Sequence, residues 1–396
     1  MTSRKNFLFS LVGIFFVFTT VKFYSFYTEY STWQYADWLI NYQGGLVRRG
    51  LIGEILFRLH KFTSVDLDIL IFLFVTSLYV IFSYYLLKSI KYIENSNINI
   101  LIFLSPAFFI YPIMNSEVVG RKDILLLALI SSFVFIDKKI NQKFHFSILI
   151  LVMFFLSLSH SAFAFYMPYF IFLYILNKNR RGLKITFKDV IIPVLFLVVL
   201  ILFINSLNGT EYQINQICDS VKKFVAEGCT KSGQIFHLAS GVEYRFAEKF
   251  KIGEGYISNY LIIYTISLIL FFFFITSKLI NSKFKTNLLK KNNLNPFLIF
   301  LILFLFTIPV YILGRDWGRY IYISYSCSFF IYIYCIKNDI LIIKDLKILD
   351  YLKFRKIFFI IFVFFYSFFW TFPFYDAKNF KLTLKKPAIS ILKKLN

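Results

Sequence analysis

Residues 190–206, VIIPVLFLVVLILFINS, decide the class of this chain. An uncharged run of this length approaches the roughly 20 residues that a helix needs to cross the hydrocarbon core of a bilayer. Lys178, Arg180, Arg181, Lys184 and Lys188 stand just before it. The same design recurs at about 7–27, 68–87, 98–114, 124–136, 145–159, 162–176, 258–277, 297–313, 320–336 and 357–375. Together with a composition that is 58% hydrophobic and only 16% charged over 396 residues, the repeats predict an all-α protein. The expected architecture is a polytopic transmembrane helical bundle of about 11 spans (10–12), one integral membrane domain covering 1–396. Soluble enzymes, nucleic-acid binders and secreted disulfide scaffolds are excluded by the same arithmetic.

The net charge of +23 marks a nucleic-acid binder only where it clusters on one folded face. Here it follows the loops. With the N-terminus inside, the cytoplasmic segments hold more than half of the 44 Lys and Arg, while most of the 21 acids fall outside, as the positive-inside bias requires. The first run lacks a small-x-small cleavage site and reads as an uncleaved anchor. The tail disagrees: Lys378, Lys381, Lys385, Lys386, Lys393 and Lys394 lie where an odd number of spans puts the outside.

Two outer segments are long enough to fold, 28–67 and 207–257. In the first, Leu51, Ile52, Ile55, Leu56 and Leu59 recur at helical spacing beside Arg48, Arg49 and Arg58, which suits an amphipathic helix lying in the membrane interface. The second holds Cys218 and Cys229, for which a disulfide and two free thiols both remain open. Cys327 and Cys335, on one helix, sit roughly 12 Å apart and cannot pair with each other. No Cys/His spacing suggests zinc and no cofactor is expected; a divalent metal requirement is not decided by the sequence.

Four outer clusters carry charge where topology does not need it. Asp37-Trp38 is followed by Tyr42-Gln43-Gly44-Gly45-Leu46-Val47-Arg48-Arg49-Gly50, then Glu54. Glycines around two adjacent arginines allow close backbone approach, and an arginine pair suits a phosphate or diphosphate, although such a pair also snorkels to headgroups. Asn115 to Asp123 packs Glu117, Arg121, Lys122 and Asp123 into one short loop, either a site or a self-neutralising turn. Gly314-Arg315-Asp316-Trp317-Gly318-Arg319 places two arginines on the side that short loops usually keep free of them, with an Arg315/Asp316 salt bridge as the structural alternative. His160, in a tight outer turn, is either auxiliary to chemistry or a hydrogen-bonded turn residue.

These residues gather carboxylates and guanidiniums on one face. Glycosyl transfer from a lipid-linked donor uses both: a carboxylate takes the proton of the attacking hydroxyl, and cations stabilise the departing phosphate or diphosphate. Asp37 and Arg48-Arg49 in the first outer loop, followed by the Glu117–Asp123 loop, resemble the membrane glycosyltransferases of the GT-C type. That resemblance implies polyprenyl-linked sugar donors and Asp37 as catalytic base, although Trp38 stands where a second acid is usual. The size, the span number and the large late outer loop resemble bacterial O-antigen or capsule repeat-unit polymerases, in which outer-face arginines bind the lipid diphosphate.

The resulting expectation is a glycosyltransferase of the bacterial inner membrane, multi-pass with a cytoplasmic N-terminus. It would act in envelope polysaccharide assembly at the periplasmic face, most readily as a repeat-unit polymerase. A GT-C transferase adding a single sugar and a lipid-linked oligosaccharide flippase are the alternatives; transporters place ionisable sites near the bilayer midplane, where these spans hold almost none. Catalysis falls on Asp37, Glu117 or Asp123, and diphosphate binding on Arg48, Arg49, Arg121, Arg315 and Arg319, with Glu54, His160 and Asp316 as auxiliaries. The expected partners are a polyprenyl-linked glycan, the bilayer, and a chain-length regulator or other assembly proteins, with no nucleic acid.

Overall fold

The structure is a computed structural model that describes residues 2–31, 33–137, 140–225, 229, 233–240, 256–280, 282–285, 294–343 and 356–368. The fold is all-α: among these residues the only strands are the two-residue pair Lys283–Phe284 and Leu341–Ile342, antiparallel to each other. The helices are α1 (Thr2–Thr28), α2 (Leu51–Thr63), α3 (Leu67–Ile93), α4 (Asn97–Phe103), α5 (Tyr111–Met114), α6 (Asp123–Ile136), α7 (Gln142–Ser159), α8 (Met167–Arg180), α9 (Phe187–Ser206), α10 (Glu211–Val221), α11 (Tyr256–Ile280), α12 (Pro296–Leu305), α13 (Ile308–Leu313), α14 (Trp317–Lys337) and α15 (Lys356–Phe368).

Five stretches are long and apolar enough to cross a membrane: Arg4–Thr28, Leu67–Ile93, Phe187–Ser206, Leu261–Ile280 and Pro296–Leu313. Asp123–Ile136, Lys143–Ser159 and Ile357–Phe368 are apolar but shorter. Three of the apolar runs of the sequence are interrupted, and proline stands at each interruption. Residues 98–114 divide into α4 and α5 around Pro106; 162–176 opens as a 3-10 segment, Ser161–Tyr166, before α8 starts with Pro168 in its first turn; 297–313 divides into α12 and α13, with Pro309 in the first turn of α13. Proline lacks the N–H of a helix interior but is tolerated in a first turn. Pro193 lies inside α9, which stays continuous. The Lys-rich tail, residues 369–375 of the last run, and residues 226–228, 230–232 and 241–255 of the late loop lie outside the described residues.

The chain divides into two compact units, one of Met1–Asn6, Ser89–Ser116 and Glu248–Asn396, the other of Phe7–Lys88 and Glu117–Ala247. In the first, α14 is buried from Gly318 to Cys335. Its hydroxyls must therefore find partners inside the protein. Ser326 and Ser328 donate back to the carbonyls of Tyr322 and Ser324 (2.7 and 2.9 Å). The Tyr325 hydroxyl donates to the carbonyl of Ile102 at 2.9 Å. That carbonyl would bond the N–H four residues on, where Pro106 has none, so the tyrosine satisfies an acceptor that the proline orphans. Tyr332 likewise donates to Asn99 Oδ1 at 2.9 Å.

In the second unit, α6 to α9 run up and down between two polar ends. At one end Asp137, fully buried, accepts from Asn177 Nδ2 (2.6 Å) and Arg180 Nη2 (3.1 Å), while Arg181 donates to the carbonyls of Asp137 and Ile140 (2.6 and 3.1 Å). Asp189 in the first turn of α9 accepts from Lys178 (2.6 Å) and Tyr174 (2.8 Å) and closes a capping box with Thr186. At the opposite helix ends stand Lys122, His160 and Leu207. Leu158, Leu200 and Ile204 form an apolar cluster there, against which Leu51 of α2 packs.

The segment 28–67 holds the expected helix, with its faces settled by packing. Ile52, Gly53, Leu56 and Phe57 are buried, whereas Ile55, Leu59 and Phe62 form the exposed apolar stripe beside Arg58 and Lys61. In the late segment Cys218 and Cys229 form a disulfide, Cα atoms 5.8 Å apart, and Cys327 and Cys335 are buried free thiols. Replacing Asp137 by alanine strands the donors of Arg180 and Asn177 in a mostly dry setting. A loss of about 3 kcal/mol is expected, read as a lowered thermal midpoint of the purified protein in detergent; an unchanged midpoint contradicts the role given to this cluster.

Candidate functional site

The second unit brings three segments far apart in sequence onto Asp37. The residue lies in a 3-10 turn, Ala36–Leu39, whose side chains are all buried. Trp38, with no solvent exposure, donates its indole N–H to the carbonyl of Gly120 at 2.7 Å, and the Gly120 N–H donates to the Tyr79 hydroxyl at 2.9 Å. Gly120 takes a φ of +78° and a Cβ there would lie 2.3 Å from the Phe23 ring, so glycine is required for both reasons. This locks the Glu117–Asp123 loop onto the segment that carries Asp37. It also carries Lys122 inward.

Lys122 is completely buried. Its ammonium lies 3.6 Å from Asp37 Oδ1, donates to the carbonyl of Arg49 at 2.8 Å, and stands 6.0 Å from the centre of the Trp38 ring. Gln234 Nε2, from the late segment, donates to the same Asp37 oxygen at 3.4 Å. Burial pushes the Lys122 amine down to about 8, against the pull of Asp37, which favours the charged form; Arg49 adds to the depression. Arg49 itself has a φ of +69°, sparsely populated for a residue with a side chain. The lysine holds the carbonyl of that strained turn.

The two arginines of the pair have separate fates. Arg48 is buried, and its Nη2 donates to the carbonyls of His237 (2.7 Å), Leu238 (3.2 Å) and Ser240 (2.9 Å), while its backbone N–H donates to Leu207 (2.9 Å). Its guanidinium thereby fastens the late segment to the first. Arg49 is half-buried. Glu54 is also committed to the scaffold: it accepts from the Tyr42 N–H (2.9 Å), Gln43 Nε2 (3.3 Å) and Arg58 Nε (2.5 Å). Gly53 beside it allows α2 to approach, since a Cβ there would lie 1.9 Å from the Ile40 carbonyl.

Glu117 is exposed, and its backbone carbonyl accepts from Gln34 Nε2 (3.1 Å) and from Arg121 Nε (3.0 Å), the latter half-buried. Asp123 is buried in the first turn of α6, where a helix N-terminus favours an anion. His160 is buried and caps the Ser161–Tyr166 segment, Nδ1 accepting from the Ala162 N–H at 3.3 Å. Arg315, Asp316 and Arg319 belong to the first unit. There Arg319 pairs with Asp316 at 3.1 Å, and the Trp317 indole donates to the Tyr311 carbonyl at 2.8 Å.

The structure thus adds Lys122 and Gln234 to the residues around Asp37. The charge count of the 115–123 loop pointed to Lys122, but the sequence does not tell which of Arg121 and Lys122 turns inward. Among the described residues, no three His, Cys, Asp or Glu side chains gather as a metal site. No known protein family, curated protein or solved structure matches the chain.

Two outcomes follow for Lys122. Lys122→Met leaves Asp37 buried without its cation and is expected to cost about 3–5 kcal/mol, most of it recovered in Lys122→Met with Asp37→Leu, read by thermal unfolding; a single variant as stable as wild type contradicts the pair. Because the folded amine titrates near 8 and the unfolded one near 10.5, the unfolded chain binds the extra proton between these values. Wild-type stability should therefore rise relative to Lys122→Met as pH climbs through that window, and a flat difference counts against the burial.

Proposed function

We propose that the chain is an integral-membrane glycosyltransferase of about eleven spans that uses polyprenyl-linked sugars, working as a repeat-unit polymerase in envelope polysaccharide assembly. Its N-terminus would be cytoplasmic and its site at the periplasmic face of a bacterial inner membrane. The observation that carries this reading is convergence: pieces of the three segments assigned outside, 28–67, 115–123 and 207–257, meet around Asp37 and Lys122. Segments assigned inside, 137–143 and 177–189, meet at the other end of the same helices. A disulfide in the late segment fits an oxidising exterior.

The charged residues differ in burial and in their partners within the protein. Asp37, Arg48, Glu54 and Lys122 hold the loops together. Glu117, exposed, and Arg49 and Arg121, half-buried, are the charged residues of this group that solvent reaches, and a substrate would meet them first. In the reaction, the acceptor hydroxyl oxygen attacks the anomeric carbon of the donor sugar and the bond from that carbon to the diphosphate oxygen breaks. The hydroxyl proton passes to the Glu117 carboxylate, and the diphosphate leaves with the electron pair, its charge met by Arg49 and Arg121. A polymerase of this kind would work beside a chain-length regulator. A transferase adding a single sugar shares every step and differs in product length.

Glu117→Gln is expected to lower polymer formation by about 10²-fold or more, and Arg49→Ala to lower it strongly, with both proteins at wild-type abundance in the membrane. Arg48→Ala should instead reduce the amount of folded protein. A null strain should accumulate single repeat units, whereas precursor trapped on the cytoplasmic face would indicate a flippase. Full-length polymer in Glu117→Gln would sink the assignment of the base.

A further inference from the structure

We propose that Trp33 and His237 form a saccharide platform beside Glu117, the place where the acceptor sugar lies; the word acceptor rests on the transferase reading, the platform does not. Trp33 is 38% exposed, and its ring lies 5.3 Å from that of His237, the planes inclined by 31°. A large aromatic held at a tilt against a second ring while still open to solvent offers an apolar surface of the kind that the C–H side of a pyranose covers.

The platform is built, since each part is fixed by residues already committed elsewhere. His237 is held through its carbonyl by Arg48 at 2.7 Å, and its Nδ1 lies 3.5 Å from the Ser240 hydroxyl. Trp33 is followed by Gln34, whose Oε1 is hydrogen-bonded to the Ser31 hydroxyl. That bond turns Nε2 toward Glu117, whose carbonyl it meets at 3.1 Å. Trp33 and Glu117 are thereby tied together through the Gln34 side chain. Arg121 bonds the same Glu117 carbonyl at 3.0 Å.

An aromatic face, a solvent-facing carboxylate and a guanidinium supply what a sugar needs: a surface for its C–H groups and charged partners for its hydroxyls. Trp38, five residues on, is fully buried with its N–H satisfied at 2.7 Å, so it serves as an internal control. A tryptophan at a membrane boundary also settles among headgroups, and the experiment must separate the two environments.

The full-length protein in lipid nanodiscs, labelled with 5-fluorotryptophan, has four tryptophans to assign, which single Trp→Phe substitutions accomplish. The probe is a panel of methyl glycosides of hexoses and N-acetylhexosamines. The expected result is a saturable shift of the Trp33 fluorine line with at least one glycoside and none of the Trp38 line, with affinity about tenfold weaker in Glu117→Gln, the loss of one charge-assisted hydrogen bond. A Trp33 line that ignores every glycoside but broadens with spin-labelled lipid overturns the platform in favour of a membrane anchor. Saturable glycoside binding in a protein that makes no product from lipid-linked sugars keeps the platform and removes the transferase reading. Turnover without any Trp33 response removes the platform alone.

Discussion

A lysine ammonium with no access to solvent is the constraint on which the Asp37 end of the second unit depends. Burying such a charge costs several kcal/mol unless it is paired and hydrogen-bonded, and Lys122 meets that cost with two groups from one segment: the Asp37 carboxylate and the Arg49 carbonyl. Because the lysine belongs to a different loop, the pairing fixes the distance between loops. It also explains why a non-glycine residue tolerates a φ of +69° at Arg49. The carbonyl exposed by that turn is the ammonium's acceptor.

The same accounting governs the first unit, where the unmet group is a carbonyl. Proline breaks a buried helix at residue 106, the Ile102 oxygen loses its N–H partner, and a tyrosine from α14 supplies a hydroxyl at 2.9 Å. In both units a polar group is stranded by local geometry and rescued from a remote segment. Such contacts specify the fold more narrowly than apolar packing, since hydrophobic faces admit small slides and a single acceptor does not.

The all-α class and the positions of the apolar runs were legible in the sequence because hydropathy and length respond to one constraint, the satisfaction of the backbone by its own helix. Interruptions at Pro106, Pro168 and Pro309 were less legible, since Pro193 lies in an equally apolar run and leaves α9 continuous. Proximity of the loops was foreseen only as a shared side. What composition could not reveal is the inward turn of Lys122, adjacent to a half-buried Arg121 of the same charge. Nor could it separate Arg48 from Arg49, neighbours in sequence that a left-handed turn sends to different tasks.

That separation changes what the arginines and acids around Asp37 mean. Read as a string, Asp37, Arg48, Glu54, Glu117 and Arg121 make one cluster of equivalent candidates. Packing sorts them: Asp37, Arg48 and Glu54 are each less than a tenth exposed and bonded to named protein groups, so a ligand could reach them only by displacing those partners. Glu117 faces solvent, held from behind through its main-chain carbonyl by Gln34 and Arg121, which leaves the carboxylate outside that backbone clamp. A buried charged scaffold thus lies beside an exposed carboxylate. Rigidity comes from the buried layer, and the backbone that carries the exposed carboxylate inherits a fixed position without the side chain having to be buried itself.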